Sequence, residues 1–117
     1  MSKGKRMALW IVSILLAGLF LFSGAPKLLT PGKVQPMFAH YGYAPWFATL
    51  IGIGEVLGAI GLLIRPLALL AAMGLSIIMV GAFFTHATHH ELQNAMIPLV
   101  LVILLLAVGY GRYVETR

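Results

Sequence analysis

A chain of 117 residues suffices for one domain, and 61% of it is hydrophobic against 9% charged. Soluble domains carry about 25% charged residues, so the composition excludes that class and indicates an integral membrane protein. The net charge of +5 does not imply nucleic acid, because the basic residues sit at the ends of apolar runs. The lack of cysteine excludes disulfides, thiol redox chemistry, Fe–S ligation and covalent haem attachment by this chain.

Lys3, Lys5 and Arg6 precede an apolar run reaching from about Met7 to Leu29. Its length exceeds the roughly 7–15 residues of a signal-peptide core, and no small-x-small cleavage pattern leads into a soluble domain. It therefore reads as a first membrane span. Ser23, Gly24 and Pro26 near its end suggest a bend or unwinding. Lys27, just beyond, is placed to snorkel to the interface.

The connecting segment runs from Thr30 to Ala44. Thr30 before Pro31 reads as an N-cap followed by a first-turn proline. Val34, Phe38 and Tyr41, spaced i, i+4, i+7, suggest a short interfacial helix, although Pro36 argues against a regular one. Gly42 would end it, and Tyr41, Tyr43 and Trp46 form an aromatic belt.

The second span, Pro45 to Ile64, organises the rest. Glu55 lies at its middle with no basic residue inside the segment. An unpaired charge at that depth costs roughly 3 kcal/mol or more, so such residues usually face a protein interior and often carry function. Gly54 and Gly58 form a GxxxG pair that admits another helix backbone, with Gly61 one turn on. With only four short spans, that face serves the bundle itself in preference to a homodimer. Arg65-Pro66 makes a tight turn into a third span over about 67–85. The polar stretch His86 to Asn94 follows, then a fourth span over about 95–109, with Pro98 in its first turns. Tyr110, Arg112 and Tyr113 close that span at an interface.

Four spans put both termini on one side. Lys3, Lys5, Arg6, Arg65, Arg112 and Arg117 then share that side, against Lys27 and Lys33 opposite. The positive-inside rule places both termini in the cytoplasm of a cell whose inner (plasma) membrane holds the chain. At about 1.5 Å per residue, Glu55 lies roughly 14 Å below Trp46, near the centre of a ~30 Å core. Ser76 falls at similar depth and is the natural hydrogen-bonding partner for Glu55. Lys27 and His86 belong near the outer edge, beyond the reach of a lysine side chain to Glu55 unless that half of the bundle is open to water.

Phe22-Ser23-Gly24-Ala25-Pro26-Lys27-Leu28 resembles the FxxSGxxKL signature of the DoxX family. Gly52-Ile-Gly-Glu55-Val-Leu-Gly58 onward to Leu62-Leu63 resembles that family's GxxExxGxxxLL segment, and Gly81-Ala82 followed by His86 also fits. The resemblance covers nearly the whole chain. It implies an all-α four-helix transmembrane bundle and an accessory role, since some relatives are small subunits linked to a quinol oxidase or associate with oxidoreductases. Lys27, Glu55 and His86 are then the family's polar positions, with Ser76 and Asn94 as further polar candidates in this chain. They make either a quinone- or lipid-facing pocket in the outer half or a hydrogen-bond network that fixes helix order.

His86, His89, His90 and Glu91 invite a metal, and His86 and His90, spaced i, i+4, share a face if the helix continues. No complete ligand set of known spacing accompanies them. Haem is disfavoured because the histidines lie at or beyond the interface. The chain therefore shows no bound cofactor of its own, and quinone enters through the resemblance. Two functional classes stand. The first is an accessory protein that binds a partner membrane protein or quinone-linked oxidoreductase through Glu55. The second is a small-molecule or proton-coupled transporter, or a membrane enzyme acting on a lipid or quinone. The absence of electron-carrying motifs, and of a polar path from Glu55 to the cytoplasmic side, favours the first.

Overall fold

Inside hydrocarbon every backbone N–H and C=O must find a partner within the protein, and long apolar runs meet this as helices. The computed structural model describes residues 2–116. Among them are five α-helices and no strand: α1 (Lys3–Leu29), α2 (Pro31–His40), α3 (Pro45–Leu62), α4 (Ala68–Thr88) and α5 (Leu92–Thr116). A single 3₁₀ turn, Arg65–Leu67, joins α3 to α4. The helices α1, α3, α4 and α5 are long and apolar enough to span a bilayer. Arg117, one of the basic residues in the charge asymmetry, lies outside the described residues.

Local chemistry fixes the helix ends. Ser2 caps α1 by accepting a hydrogen bond from the Lys5 N–H. Pro26 does not unwind α1, which continues to Leu29, where Thr30 donates to the Pro26 carbonyl through both its N–H and its hydroxyl. Thr30 is the N-cap residue of α2, yet its hydroxyl is turned back to α1 and makes no cap bond. Pro31 occupies the first turn of α2, and α2 is regular through Pro36. Gly42, at φ +87, makes the left-handed turn that a residue with a Cβ resists.

The spans pair as α1 with α3 and α4 with α5, and α3 against α4 joins the two pairs. Close approach needs small residues. A Cβ on Gly24 of α1 would meet Glu55 Cβ at 2.9 Å and the Gly52 carbonyl oxygen at 3.1 Å. One on Gly52 of α3 would meet Lys27 Cβ at 2.7 Å. Gly24 and Gly52 thus set the crossing of α1 and α3. Gly54, Gly58 and Gly61 face α4, where a Cβ would meet Ile78, Leu75 and Ala71 respectively. The GxxxG face is spent inside the bundle.

The core fills the half of the bundle nearer the termini. Leu16, Phe20, Leu62, Leu75, Leu105 and Val108 are buried there together. Arg112 is buried among the helices at that end, at 0% exposure, and not at the interface that its place in the sequence suggests. Its guanidinium donates to Ser13 Oγ at 3.0 Å and to the Leu62 carbonyl at 3.2 Å. The Cζ lies 3.8 Å from the Trp10 ring centroid, a cation–π contact. Glu115 pairs with Arg112 at 3.6 Å and with Arg65 at 3.2 Å. The arginine therefore joins α1, the carbonyl end of α3 and α5 where the apolar core stops.

Candidate functional site

The other half of the bundle is not filled. Between the α1/α3 pair and the α4/α5 pair lies a cavity of about 670 Å³, roofed by α2. That volume falls in the range of small-molecule sites. Its wall is mostly apolar, with Phe20, Phe38, Ile78, Met79 and Leu101 prominent. Leu19 of α1 and Ile97 of α5 line it and are themselves exposed, so the cavity is partly open and not sealed.

Its polar floor is an intramembrane ion pair. Lys27 Nζ lies 2.7 Å from Glu55 Oε1, with Glu55 at 2% exposure and Lys27 at 9%. The ammonium also donates to the Ser23 carbonyl at 2.9 Å and to Ser23 Oγ at 3.0 Å. Ser23 Oγ in turn donates to Glu55 Oε2 at 2.9 Å. All three side chains line the cavity.

This arrangement corrects the depth argument from sequence. Lys27 does not snorkel outward, and Ser76 is not the partner of Glu55. Ser76 is buried on α4 and its hydroxyl has no hydrogen-bond partner among the described residues. The cause is side-chain direction. Helices α1 and α3 run antiparallel through the Gly24/Gly52 crossing. Lys27 lies one turn beyond Gly24 toward the loop end, and Glu55 one turn beyond Gly52 toward the terminal end. Each side chain leans toward its own helix N-terminus, so the two lean toward each other. A lysine stem then spans the offset of about 4.5 Å, three residues' rise, on each helix.

A second polar cluster closes the loop end. The Tyr41 hydroxyl, at the end of α2, donates to Glu91 Oε1 at 2.6 Å. His86 Nδ1, on the last turn of α4, lies 2.7 Å from the same oxygen. A carboxylate only accepts, so Nδ1 carries the proton. The hydrogen bond from Tyr41, then that from His86, holds the Glu91 carboxyl below the ordinary carboxylate range. The bond to Glu91 likewise raises the Tyr41 phenol. Tyr43 OH sits 2.6 Å from Thr85 Oγ1, which donates to the Gly81 carbonyl, so Tyr43 is the donor between them. Both tyrosines tie the roof to α4 and to the α4–α5 turn.

The structure brings Lys27, Glu55, His86 and Asn94 to one cavity and leaves Ser76 outside its wall. The i, i+4 face proposed for His86 and His90 does not form, because α4 ends at Thr88 and His90 sits in the turn at φ 60. Among the described residues no three histidine or acidic side chains converge as a metal site. Sequence reasoning passed over Ser23, Gly24, Gly52 and Tyr41 as site residues, and took Glu91 only as a member of a metal cluster. Ser23 and Gly24 stand inside the quoted signature, four and three residues before Lys27, and that spacing was the available signal.

The DoxX-like family model matches residues 11–108, from the first turns of α1 to near the end of α5. The chain belongs to the DoxX-like family. It is a multi-pass membrane protein of that family, and the cavity, both of its polar clusters and the crossings at Gly24, Gly52, Gly54, Gly58 and Gly61 lie within the matched region. No curated protein and no solved structure matches the chain significantly.

Proposed function

We propose that this DoxX-like protein is a membrane accessory protein that holds a lipid-dissolved small molecule of the quinone class for a partner oxidoreductase. One observation carries the reading: a large, mostly apolar cavity is lined by the Lys27–Glu55 ion pair. Apolar pockets with a few convergent polar groups are the usual form of small-molecule sites. An intramembrane charge pair that lines a cavity instead of packed side chains fits binding better than helix ordering alone. The transport alternative has less support. Toward the termini from Glu55 the bundle is packed with Leu16, Phe20, Leu62, Leu75 and Leu105, which carry no proton.

The proposed orientation keeps the termini and the Arg65, Arg112 and Glu115 cluster cytoplasmic, in the plasma membrane, with the cavity in the outer half. A single cysteine at His89 in this cysteine-free chain should react with an impermeant reagent from outside only. Labelling confined to the inside would reverse the orientation.

Binding is tested by carrying the protein into nanodiscs with native lipid and quantifying extracted quinones. Gly81 lines the cavity and a Cβ there meets nothing within 4 Å, so Gly81→Phe should fill the space without a backbone clash. Near-stoichiometric quinone with the parent, lost in Gly81→Phe, is the expected result. Quinone at the level of empty nanodiscs in both would reject the reading. Partner association is tested separately, by recovering quinone-linked oxidoreductase activity with the tagged protein.

A further inference from the structure

A second, smaller pocket lies between α4 and α5 at the terminal end of the bundle. It holds about 330 Å³ and is lined by Arg65, Pro66, Leu69, Leu70, Met73 and Tyr113. Pro66, Leu69, Leu70 and Met73 stand at i, i+3, i+4 and i+7, so they form one stripe that runs from the α3–α4 turn along the start of α4. Leu70 is 68% exposed and Met73 50%. On a membrane-spanning helix such side chains lie against acyl chains. A lipid therefore covers the stripe, and what the pocket can select is its headgroup.

Charge makes the selection. The chain has three acidic residues, and Glu115 is the one at this end, since Glu55 pairs with Lys27 and Glu91 lies in the α4–α5 turn. Glu115 meets two guanidiniums: Arg65 Nη2 at 3.2 Å from Oε1 and Arg112 Nε at 3.6 Å from Oε2. Two cations share one carboxylate, so one positive charge is left over. Arg112 is wholly buried, whereas the Arg65 side chain is 60% exposed and is the cation that an outside anion can reach. Only its Nη2 approaches Glu115, and the rest of its five-donor fork meets no acceptor among the described residues. We infer that this pocket binds one anionic phospholipid, with the headgroup phosphate on the Arg65 guanidinium and an acyl chain along Leu69, Leu70 and Met73. A planar fork of N–H donors suits phosphate oxygens. A zwitterionic head brings its own cation toward two guanidiniums, while an anionic head supplies the missing charge. The site is independent of the larger cavity, with which it shares no lining residue.

The test titrates the delipidated protein, in a neutral detergent, with dioleoyl phosphatidylglycerol, dioleoyl phosphatidylcholine or inorganic phosphate, and counts bound molecules by native mass spectrometry. One basic side chain beside an anionic lipid corresponds to about fivefold in affinity. The first phosphatidylglycerol should bind by about that factor more tightly than phosphatidylcholine. Arg65→Gln should remove the preference while both lipids still bind along the stripe. Leu70→Ser should weaken both lipids alike and keep the preference. Lys5→Gln removes a positive charge at the same end but outside the pocket, and should leave the preference intact. Equal affinity of the two lipids for the parent, binding of neither, or a preference that survives Arg65→Gln would overturn the site. Equal loss of preference in Lys5→Gln and Arg65→Gln would overturn it too, by tracing the effect to net charge. Inorganic phosphate held by the parent without lipid, and lost in Arg65→Gln, would show that a dissolved anion and not a lipid is the occupant.

Discussion

Removing one member of the Lys27–Glu55 pair should be far worse than removing both. Glu55→Leu leaves the ammonium with only Ser23 for company, nearly buried between α1 and α3. Lys27→Met leaves the carboxylate with the single Ser23 hydroxyl. Breaking a buried pair this way costs on the order of 3–5 kcal/mol, whereas exchanging both partners for apolar groups of similar volume is often neutral or stabilising. The double variant should therefore unfold at the parent's midpoint or above it, and each single variant well below. The assay is a double-mutant cycle by reversible unfolding in mixed micelles, with Trp10 and Trp46 as fluorescence reporters. Strictly additive losses in the double variant would show that the two charges do not depend on each other, and the site described above would fall with them.

The remaining predictions concern the frame around that pair. Gly52→Ala should cost about 1–3 kcal/mol by overpacking, because its Cβ would meet Lys27 Cβ at 2.7 Å, and Gly58→Leu should do the same against Leu75. Gly74→Ala, which meets nothing within 4 Å, is the control and should be neutral or mildly stabilising in the same unfolding assay. Arg112→Lys should destabilise the terminal end, since a lysine loses the planar donors to Ser13 and Leu62 and the stacking on Trp10; a parental unfolding midpoint would contradict that role. The Glu91 pKa is depressed in the folded state, so its contribution is present above the ordinary carboxylate pKa and lost as pH falls through the lower, folded value. The distance between spin labels at Lys33 and Gln93 should thus hold as pH falls to about 4.3 and lengthen only in stronger acid. Lengthening that begins above that point would break the assignment of Tyr41 and His86 as the roof's anchors.

Much of the fold was legible because hydrocarbon allows few answers. Four long apolar runs, the Arg65-Pro66 turn and the short helix before Pro45 all follow from length, composition and turn residues. Gly58 was legible as a packing position because GxxxG needs only helical periodicity. Pro36 misled, since α2 absorbs it, and so did the Ser23–Pro26 stretch, where α1 stays helical. Of the polar positions, Glu55 follows from the residues alone, while Lys27 and His86 enter through the family resemblance and line the same cavity. Glu55 was assigned to the interior from its cost in lipid, but its partner was sought at equal Cα depth, which ignores that antiparallel helices lean their side chains toward one another. Arg112 followed the usual rule for a basic residue near a span end, and that rule does not see a gap between Trp10, Ser13 and Leu62 that a guanidinium fills. A pocket in the outer half entered only through the family resemblance, because a cavity between helices follows from how they pack and not from any one segment.

The most direct test of the ligand cavity is to ask where a lipid-dissolved probe attaches. The protein in nanodiscs is irradiated with a decyl hydroquinone carrying a diazirine on its ring, and the adducts are mapped by mass spectrometry. Adducts should concentrate on the cavity segments around Ser23–Lys27, Ile51–Glu55 and Ile78–Ala82, and be lost in Gly81→Phe. Adducts spread over outward residues such as Phe22, Leu57 and Leu70, unchanged in Gly81→Phe, would contradict the ligand cavity.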